Sequence, residues 1–251
     1  MAKNIKKIVK ENYSKIAEAN INKSSCGCCG CGSKKETEDI SKSLGYTLEE
    51  LSTVPESNLG LGCGNPTALG EIKQDQIVLD LGSGAGIDCF IASKKVGEKG
   101  KVIGIDMTKK MIRLAKENAS KYGFKNVEFK LGDIEKLPIA DNSIDVIMSN
   151  CVINLAPSKQ KVFKEAHRVL KKGGYMLISD IVLLKELAQW QREDKDLIAG
   201  CVGGAILRDE YLKIVKDTGF TITIIDEDKQ ISKKQYNNIP LESLKIKATK
   251  Q

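Results

Sequence analysis

The sequence predicts an α/β fold with a doubly wound, mostly parallel sheet of seven strands. Between residues 76 and 182, five strand-like apolar runs alternate with amphipathic helical segments, which is typical of parallel strands joined by helices on both faces of a sheet. Two more strand-like runs follow at 220–226 and near 244–250, without a helix between them. Such a closing pair favours an antiparallel edge strand on an otherwise parallel sheet.

Each element of this sheet follows from its own pattern. The strands are short runs rich in Val, Ile and Leu, and the helices carry apolar residues at helical spacing. The first five strands are predicted at 76–82, 101–107, 127–133, 144–150 and 174–182. The helices are predicted at 86–96, 108–122, 158–171 and 208–218.

Residues 1–72 do not follow this alternation, and we predict an N-terminal helical and cysteine-rich extension there, with the α/β domain over 73–251. The extension begins with apolar residues at spacings of three, four and seven, which predict a short amphipathic helix. These residues are Ile5, Ile8, Val9, Tyr13 and Ile16. Residues 24–33 then read SSCGCCGCGS, and a loop rich in Gly and Pro follows near 53–71.

Charge and hydropathy narrow the class of protein. The chain of 251 residues has a formal charge of +7, but the excess lies in its lysine-rich ends, and no basic stripe with interleaved aromatic residues accompanies it. We therefore expect no nucleic-acid partner. Because no apolar run is long enough for a membrane span or a signal peptide, we expect a cytoplasmic protein with no membrane association, and a monomer.

The eight cysteines are the most unusual part of the composition. Cytoplasmic thiols are held reduced, so a structural disulfide framework is not expected, and metal binding, redox chemistry or catalysis is favoured. The cluster of Cys26, Cys28, Cys29 and Cys31 fits a closed zinc site poorly, because its cysteines are too crowded to surround one tetrahedral ion.

A glycine-rich turn follows the first predicted strand and opens a helix. Gly82, Gly84 and Gly86 would bring bare backbone against a ligand at the carboxyl end of the sheet. Asp106 ends the second strand, where a carboxylate can accept both hydroxyls of a ribose. A dinucleotide fingerprint would require glycine where the chain has Ile87. The spacing therefore favours a different nucleoside ligand.

The turn, with Asp80 two residues ahead of it, resembles motif I of the Rossmann-like S-adenosylmethionine-dependent methyltransferases. GIDMT, GDIEKLP, SIDVIMSN and EAHRVLKKGGYMLISD match further motifs of that class in order. The resemblance implies S-adenosylmethionine as the cofactor, Asp106 at its ribose, and Met107 and Asp133 at its adenine. The whole cofactor site that it implies consists of Asp80, Gly82, Gly84, Gly86, Asp106, Met107, Asp133, Ile134 and Asn150.

Three other cysteines are predicted to meet at the carboxyl end of this sheet. Cys151 directly follows the fourth strand, Cys201 lies among small residues after the fifth, and Cys63 lies in a glycine-rich loop that we expect to leave its thiol accessible. Cys89, inside a predicted helix, is expected to pack as a small apolar residue. Three thiolates beside a methyl donor point to a soft, thiophilic acceptor.

NLGLGCGNP, SNCVINLAPSK and AGCVGGA, together with the cysteine-rich segment, resemble the arsenite methyltransferases. This resemblance implies that Cys151 and Cys201 bind trivalent arsenic and that Cys63 is a third functional cysteine. It also implies a fourth cysteine upstream, and the choice between Cys28 and Cys29 stays open. A thiol reductant of the glutathione or thioredoxin type is implied as co-substrate.

Histidine gives no general base, because the only one, His167, lies inside a predicted helix behind the sheet. Thiolate-bound arsenic needs none, since its lone pair can attack the methyl carbon directly. Two alternatives remain at this stage. One is a methyltransferase for a small organic acceptor of the quinone or sterol type, and the other is a non-catalytic, thiol-rich metal-binding protein. The cysteine-rich segment is expected to relay arsenic to the other cysteines or to pair with Cys63.

Overall fold

The computed structural model describes residues 2–23, 34–231, 236 and 238–251. The described helices are α1 (Ala2–Lys23), α2 (Lys34–Ser43), α3 (Leu48–Thr53), α4 (Ile87–Val96), α5 (Lys109–Lys121), α6 (Lys159–Val169), α7 (Gln189–Glu193), α8 (Lys195–Ala199) and α9 (Arg208–Asp217). The strands are β1 (Ile77–Leu81), β2 (Lys101–Asp106), β3 (Val127–Leu131), β4 (Ile144–Asn150), β5 (Leu170–Leu183), β6 (Phe220–Asp228) and β7 (Leu241–Lys250).

The strands form one sheet in the order β3-β2-β1-β4-β5-β7-β6. β1 to β5 are parallel to one another, and β7 pairs antiparallel with both β5 and β6. The predicted α/β fold with seven strands is therefore confirmed. The antiparallel strand, β7, is not itself the edge strand. β6 lies at the edge of the sheet and runs in the same direction as β5.

β5 begins earlier than the sequence pattern indicates, within the stretch predicted to end a helix. Leu170 already pairs with Ile144, and the register shifts before the pairing resumes at Val146 and Tyr175. Gly173 lies in the shifted stretch with a φ of 76°, a left-handed conformation that glycine adopts without steric cost. The two adjacent glycines thus form an irregularity within one strand, where the sequence suggested a loop between a helix and a strand.

Alternate residues of the central strands pack on opposite faces of the sheet. Val78 lies in the cluster formed with Phe90 of α4 and Ala115 of α5. Leu79 lies in the cluster formed with Phe163 of α6 and Tyr211 of α9. This two-sided core fixes the sheet rigidly, so the carboxyl ends of β1, β2 and β4 present their loops at defined positions.

The N-terminal segments pack against the carboxyl end of this sheet. α1 is longer than predicted, with 22 residues, and it contacts α5 and α8 while burying Val9 and Ala17. The division at residue 72 remains a prediction. Among the described helices, none combines the length and the apolar character needed to cross a bilayer.

Candidate active site

The turn between β1 and α4 holds its three glycines in the left-handed region. Gly82, Gly84 and Gly86 have φ values of 70°, 51° and 97°. A Cβ at Gly86 would lie 2.7 Å from Phe129, so this glycine allows helix and sheet to pack closely, whereas a Cβ at Gly84 would meet nothing within 4 Å. The middle of the turn therefore presents bare backbone to open space.

Asp106 at the end of β2 holds this turn in place. One carboxylate oxygen accepts the Gly84 N–H at 3.1 Å and the other accepts the Thr108 N–H at 2.7 Å. Burial raises the pKa of Asp106 above its ordinary value, although both backbone donors oppose that shift. The side chain predicted to face a ribose thus lies beside the glycine turn.

Asp80 occupies a different place from the other predicted cofactor residues. It is buried beneath the turn, where the Cys89 thiol donates to its carboxylate at 3.2 Å, and it does not line the cavity described below. Burial raises the pKa of Asp80 well above its ordinary value. Cys89 is fully buried among apolar side chains, as predicted.

A cavity of about 250 Å³ opens at the carboxyl ends of β1, β2 and β4. Its wall brings together most of the predicted cofactor residues with residues of α1 and of the loops that carry the cysteines. The lining includes Lys6, Val9, Tyr13, Gly82, Ser83, Gly84, Asp106, Met107, Asp133, Ile134, Asn150, Cys151 and Cys201. Gly86 is not part of this wall, since it packs against Phe90 and Phe129.

Asn150 connects the cavity wall to the loop of Cys63. Its amide group donates to the Gly64 carbonyl at 2.8 Å and to the Tyr46 hydroxyl at 3.0 Å, and its oxygen accepts the Cys63 N–H at 3.2 Å. Tyr46 in turn donates to Asp88 at 2.7 Å. Tyr46 and Asp88 were missed by the sequence analysis, because neither belongs to a motif that predicts this pairing.

Asp88 is a buried acid at the start of α4. Burial raises its pKa to about 6, while hydrogen bonds from Tyr46 and Asn150 act in the opposite direction. Its position in the first turn of the helix favours the negative form, because the helix dipole is positive there.

The acidic loop after β3 closes the other end of the cavity. The Asp133 carboxylate accepts the Glu135 N–H at 3.0 Å, and its second oxygen bonds the Lys6 ammonium at 2.6 Å. Lys6 also bonds Glu135. Although burial opposes the shift, the hydrogen bond from Lys6 lowers the pKa of Asp133. The sequence indicated Asp133 but not its lysine partner, which comes from the distant α1.

The three cysteines predicted to converge do so. Cys63 and Cys151 form a disulfide with their Cα atoms 5.9 Å apart, and the Cys201 thiol donates to the Cys151 carbonyl at 2.7 Å. The disulfide joins two residues whose proximity was predicted but whose bond was not. Cys28 and Cys29, with the rest of the cysteine-rich segment, lie outside the described residues.

The prediction that Cys63 is accessible is wrong, since it is only 1% exposed. A Cβ at Gly64 would lie 2.1 Å from the Ser179 hydroxyl, so this glycine lets the loop pack closely against β5 instead of holding it open. Ser243 completes the contact by donating to the Cys63 carbonyl at 2.9 Å.

Asp180 lies behind the cysteines in a buried polar cluster. A carboxylate oxygen of Asp180 and the sulfurs of Cys63 and Cys151 all lie within 4.8 Å of one another. Asn154 and Tyr211 donate to the carboxylate at 2.9 and 3.1 Å. Burial raises the pKa of Asp180 to about 7, although the nearby Lys159 ammonium opposes the shift. Asp180 ends the LISD stretch noted above, but its role beside the cysteines was not predicted.

The fold and the cavity define an α/β protein in which a glycine turn and a cluster of three cysteines meet at the carboxyl end of the sheet. The profile of the methyltransferase-domain family matches residues 72–219, and the chain belongs to that family. The fold also matches the crystal structure of a protein from Bacillus subtilis, with a TM-score of 0.60, 21% identity, and coverage of 71% of this chain and 93% of that one.

Two more similar relatives are arsenite methyltransferases. The arsenite methyltransferase of Halobacterium salinarum is 43% identical over 86% of this chain and 57% of its own length. That of Aquipseudomonas alcaligenes is 37% identical over 89% of this chain and 64% of its own length. The chain thus spans less than two thirds of either relative.

A solved structure points the same way. An arsenic(III) S-adenosylmethionine methyltransferase from Chlamydomonas reinhardtii has a TM-score of 0.65 and 30% identity, with coverage of 83% of this chain and 72% of that one.

Proposed function

We propose that the protein is an S-adenosylmethionine-dependent arsenite methyltransferase. One observation carries the proposal: Cys151 and Cys201 line the same cavity as the glycine turn and Asp106, and Cys63 is bonded to Cys151. A soft acceptor held by these sulfurs would therefore lie next to a bound cofactor. The named relatives support the same acceptor.

The residues of the cavity fit the cofactor. Gly84 leaves open space where a side chain would stand, and the buried Ser83 hydroxyl has no hydrogen-bond partner among the described residues. Asp106 offers a carboxylate for the ribose hydroxyls, and Met107 and Ile134 offer apolar surface for a purine. The gap at Gly84 and the unpartnered hydroxyl are features that a polar ligand would fill.

S-Adenosylmethionine supplies an electrophilic methyl group when bound. The task of the protein is to hold arsenic on the thiolates of Cys151, Cys201 and Cys63, with its lone pair toward that group. This geometry supplies the rate without a general base. The position of His167 is consistent with this mechanism, because this residue of α6 packs against Phe220 of β6 and does not line the cavity.

Methyl transfer formally oxidises arsenic from the trivalent to the pentavalent state, so two electrons must return to it. Two thiols can give these electrons by forming one disulfide, and Cys63 and Cys151 are close enough to form one. A glutathione or thioredoxin-type thiol of the cytoplasm would then regenerate the pair. In this scheme the enzyme acts as a monomer, and Cys28 or Cys29 delivers arsenic or pairs with Cys63.

The test is to incubate reduced protein with arsenite, a thiol and methyl-labelled S-adenosylmethionine, and to separate the arsenic species. Wild type should form methylated arsenic, and Cys151→Ser and Cys201→Ser should fall below about one hundredth of that yield, because they lose a ligand that positions the acceptor. Cys89→Ser is the matched control, since serine can still donate to Asp80.

Three results would contradict the proposal. The first is cofactor binding without any methylated arsenic. The second is methylation of an organic acceptor that persists in both cysteine variants, which would favour the quinone or sterol alternative. The third is binding of metal but not of the cofactor, which would favour the non-catalytic alternative.

A further inference from the structure

Lys6 of α1 lies at the acidic end of the cavity and bonds two carboxylates at once. Its ammonium lies 2.6 Å from Asp133 and is also paired with Glu135. The Lys6 side chain is 28% exposed and that of Glu135 only 12%, so water screens this pair less than an open surface pair. α1 is thereby tied to the loop between β3 and β4.

The other oxygens of these carboxylates already have partners. One oxygen of Asp133 accepts the Glu135 N–H at 3.0 Å, and one oxygen of Glu135 accepts the Ser158 N–H at 2.8 Å, where α6 begins. Lys6 takes the second oxygen of each. A ligand that needs the Asp133 carboxylate therefore finds one donor already at each oxygen, and one of the two donors is the Lys6 ammonium.

We propose that Lys6 is an internal competitor for the adenine end of the cofactor and that its ion pairs must open before S-adenosylmethionine binds. The inference rests on the proposed function, which takes the cavity as the cofactor site, and on the predicted place of Asp133 at the adenine amino group. An adenine amino group is a neutral donor, and the Lys6 ammonium is a charged one that forms the stronger hydrogen bond to a carboxylate. We call the pairing of Lys6 with Asp133 and Glu135 the latch. Molecules in which the latch is formed do not bind the cofactor, so the apparent affinity falls in proportion to their share of the population.

The charge of Lys6 persists through the neutral pH range. Burial opposes the shift, but the hydrogen bonds with Asp133 and Glu135 raise the pKa of Lys6 above its ordinary value. The latch is therefore sensitive to salt rather than to pH near neutrality, because ions screen the pairing without discharging it.

The same helix also reaches the thiol end of the cavity. The Tyr13 hydroxyl donates to the Ala199 carbonyl at 3.4 Å, two residues before Cys201. Both Tyr13 and Lys6 line the cavity. Opening the Lys6 ion pairs thus releases one end of α1, whose middle contacts the loop of Cys201. In this proposal α1 therefore lies against both the cofactor and the acceptor.

The test measures binding of S-adenosylhomocysteine to the reduced full chain by calorimetry, without arsenite. Lys6→Met keeps the alkyl stem and removes the ammonium, and we expect about three- to tenfold tighter binding. Wild-type affinity should also rise as salt increases from about 0.05 to 0.5 M, whereas the variant should respond little.

Lys7→Met is the matched control, because it makes the same charge change on the same helix. The Lys7 side chain is 73% exposed and pairs only loosely with Glu11, at 3.9 Å, so its removal should leave the affinity unchanged. If Lys6→Met does not fold, Lys6→Gln provides the same comparison.

Unchanged or weaker binding by a folded Lys6→Met would overturn the latch. Equal tightening by Lys7→Met would also overturn it, since a general charge effect would then explain the result. If wild type and every variant fail to bind S-adenosylhomocysteine, the cofactor assignment itself fails, which distinguishes the two proposals.

Discussion

Cys151 and Cys201 both have left-handed backbone, with φ values of 55° and 68°. A residue with a Cβ pays about 1–2 kcal/mol for this conformation, so it persists only where the surroundings impose it. The Cys151 N–H donates to the Ser179 carbonyl at 2.9 Å. Lys159 holds the loop of Cys201 by donating to the Gly204 carbonyl at 2.6 Å. The two sulfurs are thus positioned by strained backbone and not by chance packing.

Replacing Cys201 by glycine and by alanine measures this strain directly. Both variants lose the thiol, but only glycine adopts the left-handed conformation freely, so Cys201→Gly should be more stable than Cys201→Ala by about 1 kcal/mol. Urea unfolding of the reduced proteins provides the measurement. At Cys89, inside α4, the order should reverse by a similar amount, because glycine destabilises a helix. If the glycine variant were the more stable one at both positions, or the alanine variant at both, the result would contradict the claim that the backbone of Cys201 is strained.

At the scale of elements, the loop of Cys63 is held by the end of a strand. Asn150 closes β4 and bonds both the N–H of Cys63 and the carbonyl of Gly64. These backbone groups lie where water has little access, so losing their partner would leave them unsatisfied. Asn150 therefore positions the loop of Cys63 as well as lining the cavity.

Asn150→Ala should lower the free energy of unfolding by about 1–3 kcal/mol, the cost of unpaired buried polar groups. It should also speed the reaction of Cys63 with a thiol reagent after reduction of the disulfide, because the loop is released. Labelling followed by peptide mass analysis provides that measurement. Asn20→Ala is the control, since Asn20 donates to a carbonyl of its own helix, at 2.9 Å, and alanine favours helix. Unchanged labelling of Cys63 would show that Asn150 does not hold the loop.

The sequence predicted the bounds of a helix or strand well where a single apolar periodicity extends over the whole element. β4 at Ile144–Asn150 and α9 at Arg208–Asp217 follow their apolar periodicity closely. β5 was predicted to begin at 174, after a helix at 158–171, but pairing with Ile144 extends the strand back to Leu170. Such pairing depends on a distant strand, so no local pattern contains it.

For the whole molecule, the sequence predicted which motifs meet, because loops that follow parallel strands lie at the same edge of the sheet. It did not predict how these motifs interact. It brought Asp106 and the glycine turn to one cavity and Cys151 to its wall. It could not show that Lys6 bonds Asp133, or that Asp180 lies against the sulfurs, because these contacts depend on side chains from elements far apart in the chain. The resemblance to a known family indicates which residue types occur along the chain and in what order. The contacts between their side chains follow only from the packing of the folded chain.

The buried acids give the molecule an unusual dependence on pH. Burial raises the pKa of Asp180 from 3.8 to about 7, so the folded state keeps a proton that the unfolded state has released. Between these values, stability should fall as pH rises, by up to about 1.4 kcal/mol per pH unit, and level off above about pH 7. Asp180→Asn should remove this component and make the curve less steep from about pH 4.5 to 6.5, while the raised pKa values of Asp88, Asp80 and Asp106 maintain the rest of the slope.

Glu56 provides a control of opposite sign. Burial alone would raise the pKa of Glu56, but hydrogen bonds from Lys121 and Tyr122 lower this pKa to about 2. The contribution of Glu56 to stability is therefore lost as the pH falls below 4.5, the ordinary pKa of the group. Glu56→Gln should therefore change the curve only on the acid side and leave the slope from about pH 5 to 7 intact. Urea unfolding at each pH gives both slopes. A wild-type slope in this range that Asp180→Asn does not alter would show that the carboxylate is already ionised beside the cysteines, with Lys159 compensating its charge.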